Sequence, residues 1–582
     1  MTSAQLFPAP RKFRPLDGCF RIPAPDGFDV CWTGFSSPDV LPAKQAFDTL
    51  FGSRLPRHTF ADARHKVAFR FRRGRVLGPQ SFRLRIRPDG ARVEAEDRAG
   101  LFYAVQALRS LCAGKAADRM PCLTAEDAPD FPVRGLMLDV SRDKVPTMRT
   151  LFTLIDLLAS LRYNQLQLYI EHTFAYPGHE EIWQNASPFT PEEIRVLDAY
   201  CAARCIELVP NQNSFGHLER WLAHPRYRPL AELPGGGAPL PWGGTRAYCS
   251  ALCPTDSRSL DFLCGLYDAL LPNFSSCRFN VGCDETFDLC GKGRSFAPGS
   301  PGEGKDTGRV YLDFLKQVHH LVTERGREMM CWGDIILHHP ELVPELPEGL
   351  TVLEWGYEAN HPFEEHTQLF RKSGVPFYVC PGTSSWRSLF GRHTNMIANI
   401  ESAARHGRDN GAAGFLLTDW GDEGHWQPLA VSYPAYLYAG AVSWCAETNR
   451  RFDLCATLCR FCPIGYEREL LRLADLYRLF PPIGNASPLF NALRFNKPLA
   501  PSPAFQRAYR RFLERPEAGT ETQAYLRKLL KLAATPAEYR WSKSERAATE
   551  TLFRHIWLNE NRPGGLSDSL AKLIPRSNER LR

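Results

Sequence analysis

Between about Phe131 and Trp444, short apolar runs alternate with longer amphipathic stretches. Eight runs stand out: Gly135–Val140, Gln165–Ile170, Ile206–Asn211, Phe279–Asp284, Glu328–Gly333, Val352–Tyr357, Pro376–Pro381 and Gly414–Trp420. Each is six or seven residues long and rich in Leu, Val, Phe and Met, as strands buried on both faces should be. Helical patterns separate most of them. Met148–Leu161 places Leu151, Leu154, Ile155 and Leu158 at a three-four spacing. Pro191–Arg204 opens with a Thr190 cap, Pro at the first helical position and two acids in the first turn. Similar helices are predicted for Ser257–Leu270, Arg309–Arg325, Phe363–Ser373, Thr394–Asn410 and Leu429–Trp444. The fifth and sixth runs are joined by a short Pro-containing connection, so one helix is stunted. Eight such units predict an α/β fold, a (β/α)8 TIM barrel over residues 129–446; a doubly wound open sheet is the alternative.

The flanks have other periods. In residues 1–128, Ser81–Pro88 and Ala91–Glu96 alternate polar and apolar side chains around a Pro88-Asp89-Gly90 turn, which predicts a hairpin. Gly100–Leu111 follows with Phe102, Val105, Leu108 and Leu111 on one helical face. This N-terminal unit is a small α+β domain. Residues 447–582 are helical in pattern, with segments at Tyr466–Phe480, Ala504–Arg515, Thr520–Ala533 and Ser542–Asn559. The Gly/Pro-rich stretch from Pro234 to Gly244 falls in the loop after the third strand, where a long loop would shape a pocket.

Composition narrows the partners. The net charge of +7 comes from 71 basic and 64 acidic residues mixed along 582 positions, which favours a solvated surface over nucleic-acid binding. No apolar run reaches the roughly 20 residues needed to cross a bilayer. The first residues lack the apolar core of a secretory signal. The expectation is a cytoplasmic protein with neither membrane nor nucleic acid as partner. The 18 cysteines lie mostly in apolar segments and read as reduced thiols; a metal site at Cys455, Cys459 and Cys462, in a helical stretch, is the lesser alternative. No metal or cofactor is expected.

Chemistry concentrates where the strands run out. Asp139, Asn211, Asp284, Glu285, Trp332, Trp355, Trp386, Trp420 and Asp422 all stand at or just past predicted strand ends, the rim where barrel enzymes keep their active sites. Gly282-Cys283-Asp284-Glu285-Thr286 carries the sharpest signal. Side chains alternate along a strand, so two adjacent carboxylates reach one cavity only where the backbone turns. One carboxyl holding a proton and one kept ionised can drive acid-assisted bond cleavage.

These motifs carry a resemblance. Arg134-Gly-Leu-Met-Leu-Asp-Val-Ser-Arg142 resembles the opening motif of glycoside hydrolase family 20, the β-N-acetylhexosaminidases. Gly282-Cys-Asp-Glu285 resembles that family's Gly-Gly-Asp-Glu signature, with Cys283 in place of the second Gly. Trp332-Gly-Asp, Glu354-Trp355-Gly and Asp419-Trp420-Gly-Asp422 are similar to its later tryptophan motifs, in the same order. The resemblance implies an exo-acting, retaining enzyme that releases terminal β-linked GlcNAc or GalNAc from an oligosaccharide or glycoconjugate. Glu285 would be the general acid/base, and Asp284 would orient the substrate's own 2-acetamido group as it attacks the anomeric carbon, an exception to the two-carboxylate scheme. It further implies Arg134 on sugar hydroxyls (the bland alternative being a structural ion pair), His217 beside the acid/base, Trp332, Trp355, Trp386 and Trp420 as pocket walls, and Asp422 on a distal hydroxyl.

Two departures leave roles open. The second strand ends in Glu171-His172 where family members have Asp-Asp, so either residue could face the site. No tyrosine lies in Thr383-Ser-Ser-Trp386, where members anchor the acetamido oxygen; Tyr357 or Tyr378 could supply it, or the anchor is absent. Two other readings stand beside the hydrolase: a catalytically silent carbohydrate-binding barrel, and a retaining glycosidase for sugars without the acetamido group.

Overall fold

The computed structural model describes residues 6–23, 28–51, 56–60, 67–112, 119–237, 240, 244–245, 247–289, 306–514 and 519–574. Seven strands form an N-terminal sheet: β1 (Lys12–Arg21), β2 (Asp29–Thr33), β3 (Arg57–Thr59), β4 (Phe69–Arg73), β5 (Phe82–Arg87), β6 (Gly90–Ala95) and β7 (Arg119–Asp127), in the order β1-β7-β5-β6-β4-β2-β3. The helices Ser37–Asp48 and Arg98–Cys112 cover one face with a Phe-rich core around Phe47 and Phe69. The β5–β6 hairpin pairs Arg87 with Gly90 across the expected turn.

Eight parallel strands then close a barrel: β8 (Val133–Asp139), β9 (Gln165–Ile170), β10 (Glu207–Gln212), β11 (Arg278–Asn280), β12 (Glu328–Trp332), β13 (Thr351–Trp355), β14 (Phe377–Cys380) and β15 (Gly414–Asp419), with β15 paired to β8. Outward residues such as Leu166 and Leu168 pack under the helices, while Met137, Tyr169, Val209, Met330, Leu353 and Leu416 fill the lumen. The helix at Pro191–Ala202 carries a full capping box: Thr190 Oγ1 accepts from Glu193 N (3.2 Å) and Thr190 N donates to Glu193 Oε2 (3.0 Å). Between β12 and β13 only a four-residue helix, Asp334–Leu337, and a 3-10 turn are present, which is the stunted connection.

β11 ends three residues after it begins, so Asp284 and Glu285 stand in a turn beyond the strand rather than in its last position. Asn211 also departs from expectation. Its Nδ2 donates to Gln167 Oε1 (3.1 Å), as does that of Asn280 (2.9 Å), forming a polar layer inside the lumen beneath the rim.

The C-terminal helices, among them Glu521–Ala534, Lys543–Glu560 and Leu566–Leu573, build their own apolar core. That core takes in Leu389, Phe390, Trp426 and Val431 from the loops after β14 and β15, so this region rests on the rim of the barrel. At Gly565 an added Cβ would lie 2.0 Å from the carbonyl oxygen of Asp143, and φ is +77°, so only glycine allows this approach. Part of the Pro234–Gly244 loop, and Arg515, lie outside the described residues. No helix among the described residues is long and apolar enough to cross a membrane, and the described cysteines form no disulfide.

Candidate active site

Beyond Asn280 the chain bends sharply. Gly282 and Cys283 both have φ of +69°, and Glu285 has φ of +48°. A Cβ on Gly282 would fall 2.6 Å from Asn213 Oδ1, so this position admits no side chain. Left-handed conformations cost energy in Cys and Glu, and such strain is held by surrounding contacts. Here Tyr311 OH donates to the Cys283 carbonyl (2.9 Å), and Asp334 Oδ2 accepts from Glu285 N (3.0 Å). The turn sends Cys283 into the core and aims both carboxylates at one imidazole. His217 Nε2 lies 3.2 Å from Asp284 Oδ2 and 3.5 Å from Glu285 Oε2.

The environment separates the two acids. Burial pushes Asp284 up, but His217, Arg142 and the Asn213 amide, which donates to Oδ1 at 3.1 Å, outweigh it and hold the group below its ordinary value. Burial also pushes Glu285 up, and there His217 fails to offset it; Asp284 and Asp422 add to the rise. Glu285 is the more open of the pair, its side chain 29% exposed against 8% for Asp284. Burial disfavours a charged His217, yet Asp284 carries it up to about 10. Arg142 Nη2, a donor 3.2 Å from His217 Nδ1, pulls the other way.

Arg142 organises the opposite side. Its guanidinium lies 3.2 Å from Asp139 Oδ2, 3.4 Å from Glu171 Oε1 and 3.6 Å from Asp422 Oδ1, and packs 5.1 and 5.0 Å from the ring centres of Tyr169 and Trp420. Glu171 is raised to about 7 by burial despite Arg142. Asp334 also rises to about 7, by burial and then by the charge of Asp284; it accepts from Trp355 Nε1 at 3.3 Å.

An aromatic cluster forms the floor and wall. Trp355 stacks on Tyr357 (5.1 Å), Tyr357 meets Trp386 edge-on (4.9 Å), and Trp420 touches both Trp332 (5.8 Å) and Tyr169 (4.8 Å). Trp332 and Trp386 are fully buried, while Trp355 and Tyr357 are partly open. Trp420 Nε1 donates to the Tyr357 hydroxyl (2.7 Å), which leaves the phenolic proton of Tyr357 to be given elsewhere.

Arg134 is not part of this site. It stands at the start of β8, at the opposite end of the barrel, fully buried. Its Nη2 donates to Tyr103 OH (3.0 Å), its Nε to the Arg162 carbonyl (2.9 Å) and its Nη1 to the Phe131 carbonyl (2.8 Å). Of the two arginines in this motif, Arg142, just past the other end of the same strand, is the one that stands at the rim. Tyr378 is excluded as an anchor for the same reason: it packs on Gly414, the first residue of β15, far below the rim. Tyr357 is the tyrosine that joins the cluster. Of Glu171 and His172, Glu171 contacts Arg142; His172 is buried among Ser141, Thr173 and Arg220 in a separate cavity, and burial lowers it to about 3.

Asn213, Arg142, Tyr169 and Asp334 were not singled out from sequence. Each had a positional signal. Asn213 opens the Asn-Ser-Phe-Gly-His217 segment, Arg142 closes the first motif, and Asp334 follows Trp332 by two. Among the described residues, one group could hold a metal ion: Glu354, His361 and His366, with ligand atoms within 4.8 Å of one another. Both imidazoles contact Glu354 Oε1 at 2.7 Å, a pairing that satisfies all three without an ion. It lies on the outward side of β13, behind Trp355.

The model of the glycosyl hydrolase family 20 catalytic domain matches residues 131–390, and that of the family's domain 2 matches residues 3–128. The chain is 26% identical over 311 residues to a beta-hexosaminidase of Akkermansia muciniphila, covering 48% of this chain and 59% of the relative. It is 24% identical over 321 residues to human hexosaminidase D, covering 52% and 63%. The chain thus spans less than two thirds of these relatives' length. Two solved structures share the fold. The Flavobacterium johnsoniae chitobiase has a TM-score of 0.62 at 16% identity and covers 98% of this chain and 100% of its own. The Streptomyces plicatus N-acetyl-beta-hexosaminidase has a TM-score of 0.60 at 20% identity, covering 81% and 96%.

Proposed function

The chain belongs to glycosyl hydrolase family 20, and from that premise we propose that it is an exo-acting, retaining β-N-acetylhexosaminidase that cleaves terminal β-linked GlcNAc or GalNAc with the help of the sugar's own acetamido group. The observation that carries this reading is the shared imidazole: Asp284 and Glu285 both approach His217 Nε2, with Asp284 held below its ordinary value and Glu285 above it.

Each group then has a task suited to its state. Glu285, open and inclined to keep its proton, gives that proton to the leaving oxygen and afterwards takes one from water. Asp284, ionised and fixed by Asn213 and His217, retains lone pairs that accept the acetamido N–H and steadies the positive charge growing on that amide. Carboxyls on adjacent residues serve one substrate in this way more readily than as nucleophile and acid about 5 Å apart across one carbon. The Tyr357 hydroxyl donates a hydrogen bond to the acetamido oxygen and holds it toward the anomeric carbon, keeping its proton throughout. Arg142 binds ring hydroxyls through its fork of donors. The indoles of Trp355 and Trp420 stack on the apolar faces of the sugar and its acetyl methyl.

The test is hydrolysis of chromogenic β-GlcNAc and β-GalNAc glycosides by wild type and by Glu285→Gln. Loss of general acid catalysis costs about 10²–10⁴-fold in kcat. A wild-type protein that hydrolyses neither glycoside would overturn the proposal.

A further inference from the structure

The outer face of the N-terminal sheet carries two rows of side chains that run across its strands. Register makes them opposites in charge. In the first row, Lys12, Glu126, Arg83, Glu94 and Arg72 are successive cross-strand neighbours on β1, β7, β5, β6 and β4. Cations and carboxylates alternate, and they pair. Lys12 reaches Glu126 at 3.4 Å, Arg83 reaches Glu126 at 2.7 Å and Glu94 at 2.6 Å, and Arg72 also pairs with Glu94.

Two residues along each strand, the second row reads Arg14, Thr124, Arg85, Arg92 and Arg70. It holds no carboxylate. Neighbouring strands lie about 4.8 Å apart, so Arg85, Arg92 and Arg70 stand side by side, an arrangement that destabilises a sheet. Arg14, Arg70 and Arg85 have no ion-pair partner among the described residues, and Arg92 has only Asp89, 3.7 Å away with both side chains about two-thirds exposed. The first row demonstrates that the same strands accommodate alternating charge. Among the described residues, the second row has only the exposed Asp89 to set against its repulsion.

The surface is also hollowed along these rows. A concavity of about 800 Å³ is lined by Arg70, Arg72, Arg83, Arg85 and Arg92, with the carboxylates Glu94 and Glu126 of the paired row also in its wall. A second, of about 510 Å³, is lined by Lys12, Arg14, Arg83, Arg85 and Arg87, with Glu126 as its one carboxylate. They share Arg83, Arg85 and Glu126, so one groove crosses the sheet from β1 to β4; its two glutamates are taken up by the paired row, and cations are in excess along it.

We propose that this groove binds an anionic glycan, a polysaccharide bearing sulfate or carboxylate groups at intervals along its chain. Guanidinium forks match such groups bidentately, and a row of them matches a polymer better than a single anion. Neither row contains an aromatic ring, the platform on which single-stranded nucleic acids stack; Phe13, beside the smaller concavity, packs against the core. Neither row contains a large exposed apolar residue that would enter a bilayer. The choice of a glycan rests on the hydrolase reading above. The groove and the barrel site are separate, so binding here would hold the enzyme on a substrate-bearing polymer without taking part in cleavage.

Binding is measured on the full chain with immobilised heparin and chondroitin sulfate, with neutral dextran, poly-dT and anionic phosphatidylserine vesicles as comparisons. The test variant is Arg70→Gln/Arg85→Gln/Arg92→Gln. The proposal expects salt-sensitive binding to the sulfated glycans and none to dextran. In the variant, affinity falls at least tenfold and the log–log salt slope falls by about one per arginine removed. Activity on a small chromogenic glycoside stays unchanged, so a failure of the groove is distinguishable from a failure of the hydrolase reading. The paired-row variant Arg72→Gln should lose less than half as much affinity. Sulfated glycans that do not bind at low salt, a triple variant that binds like wild type, or stronger binding to poly-dT or vesicles than to glycan would each overturn the proposal.

Discussion

The two ends of β8 hold two arginines in contrasting company. At the lower end, Arg134 is enclosed by the Tyr103 hydroxyl and two carbonyls, and it shares the Trp444 ring with Arg162, their guanidinium carbons 5.0 and 4.5 Å from its centre. Arg162 is in turn paired with buried Asp127 at 2.6 Å. At the upper end, Arg142 and His217 share a space with Asp139, Glu171, Asp284, Glu285, Asp334 and Asp422. Acids there outnumber cations, and burial first, with neighbouring carboxylates adding to it, pushes Glu171, Glu285 and Asp334 upward in pKa. The lower cluster joins β7 to the barrel with one carboxylate, Asp127, paired to Arg162, while Arg134 is held by neutral acceptors. The upper one keeps acids under tension, which is where proton chemistry is done.

Substitutions can break this comparison. The largest effect is expected from Arg142→Met, which leaves several carboxylates without their cation. It should cost about 3 kcal/mol of transition-state binding, roughly a hundredfold in kcat/KM on a chromogenic glycoside. Arg134→Met should do the reverse. It leaves buried acceptors unsatisfied and costs about 3 kcal/mol of stability in denaturant titration, while the folded protein keeps wild-type kcat/KM. Equal losses of activity in both variants would erase the distinction between the two ends.

A smaller effect sharpens it. The proposed mechanism needs Asp284 ionised and Glu285 protonated, so it predicts a kcat/KM that is bell-shaped in pH, with the acid limb set by Asp284 and the alkaline limb by Glu285. The charge on His217 lowers both groups. In His217→Gln both limbs should therefore move to higher pH. A fall in rate with no movement of either limb would make His217 a packing residue alone.

The barrel was readable because parallel strands buried on both faces write continuous apolar runs, and the caps at Thr190 and Pro191 mark a helix start without tertiary help. The acid pair was readable because adjacent carboxylates after a strand have few structural uses. Arg134 misled through its motif. Its position before the apolar run Gly135–Val140 already placed it at the end away from the chemistry, and Arg142 in the same motif was the residue past the end. Asp334 and Asn213 act through a backbone amide and a neighbouring carboxylate, contacts that depend on how separate loops meet and leave no period in the sequence. The arginine row is hidden for a related reason. Arg14, Arg70, Arg85 and Arg92 are scattered over the first hundred residues, and only the register of β1, β4, β5 and β6 brings them into line.

The central claim is that the substrate's own amide, steadied by Asp284, displaces the leaving group that Glu285 protonates. Its most direct measurement is kcat for a series of chromogenic glycosides whose acetamido methyl carries zero, one, two or three fluorines. Fluorine drains the amide oxygen of nucleophilicity while leaving the leaving group unchanged. The account predicts a steep, progressive fall in rate across the series; a rate indifferent to fluorine would mean that the amide does not attack, and would contradict it.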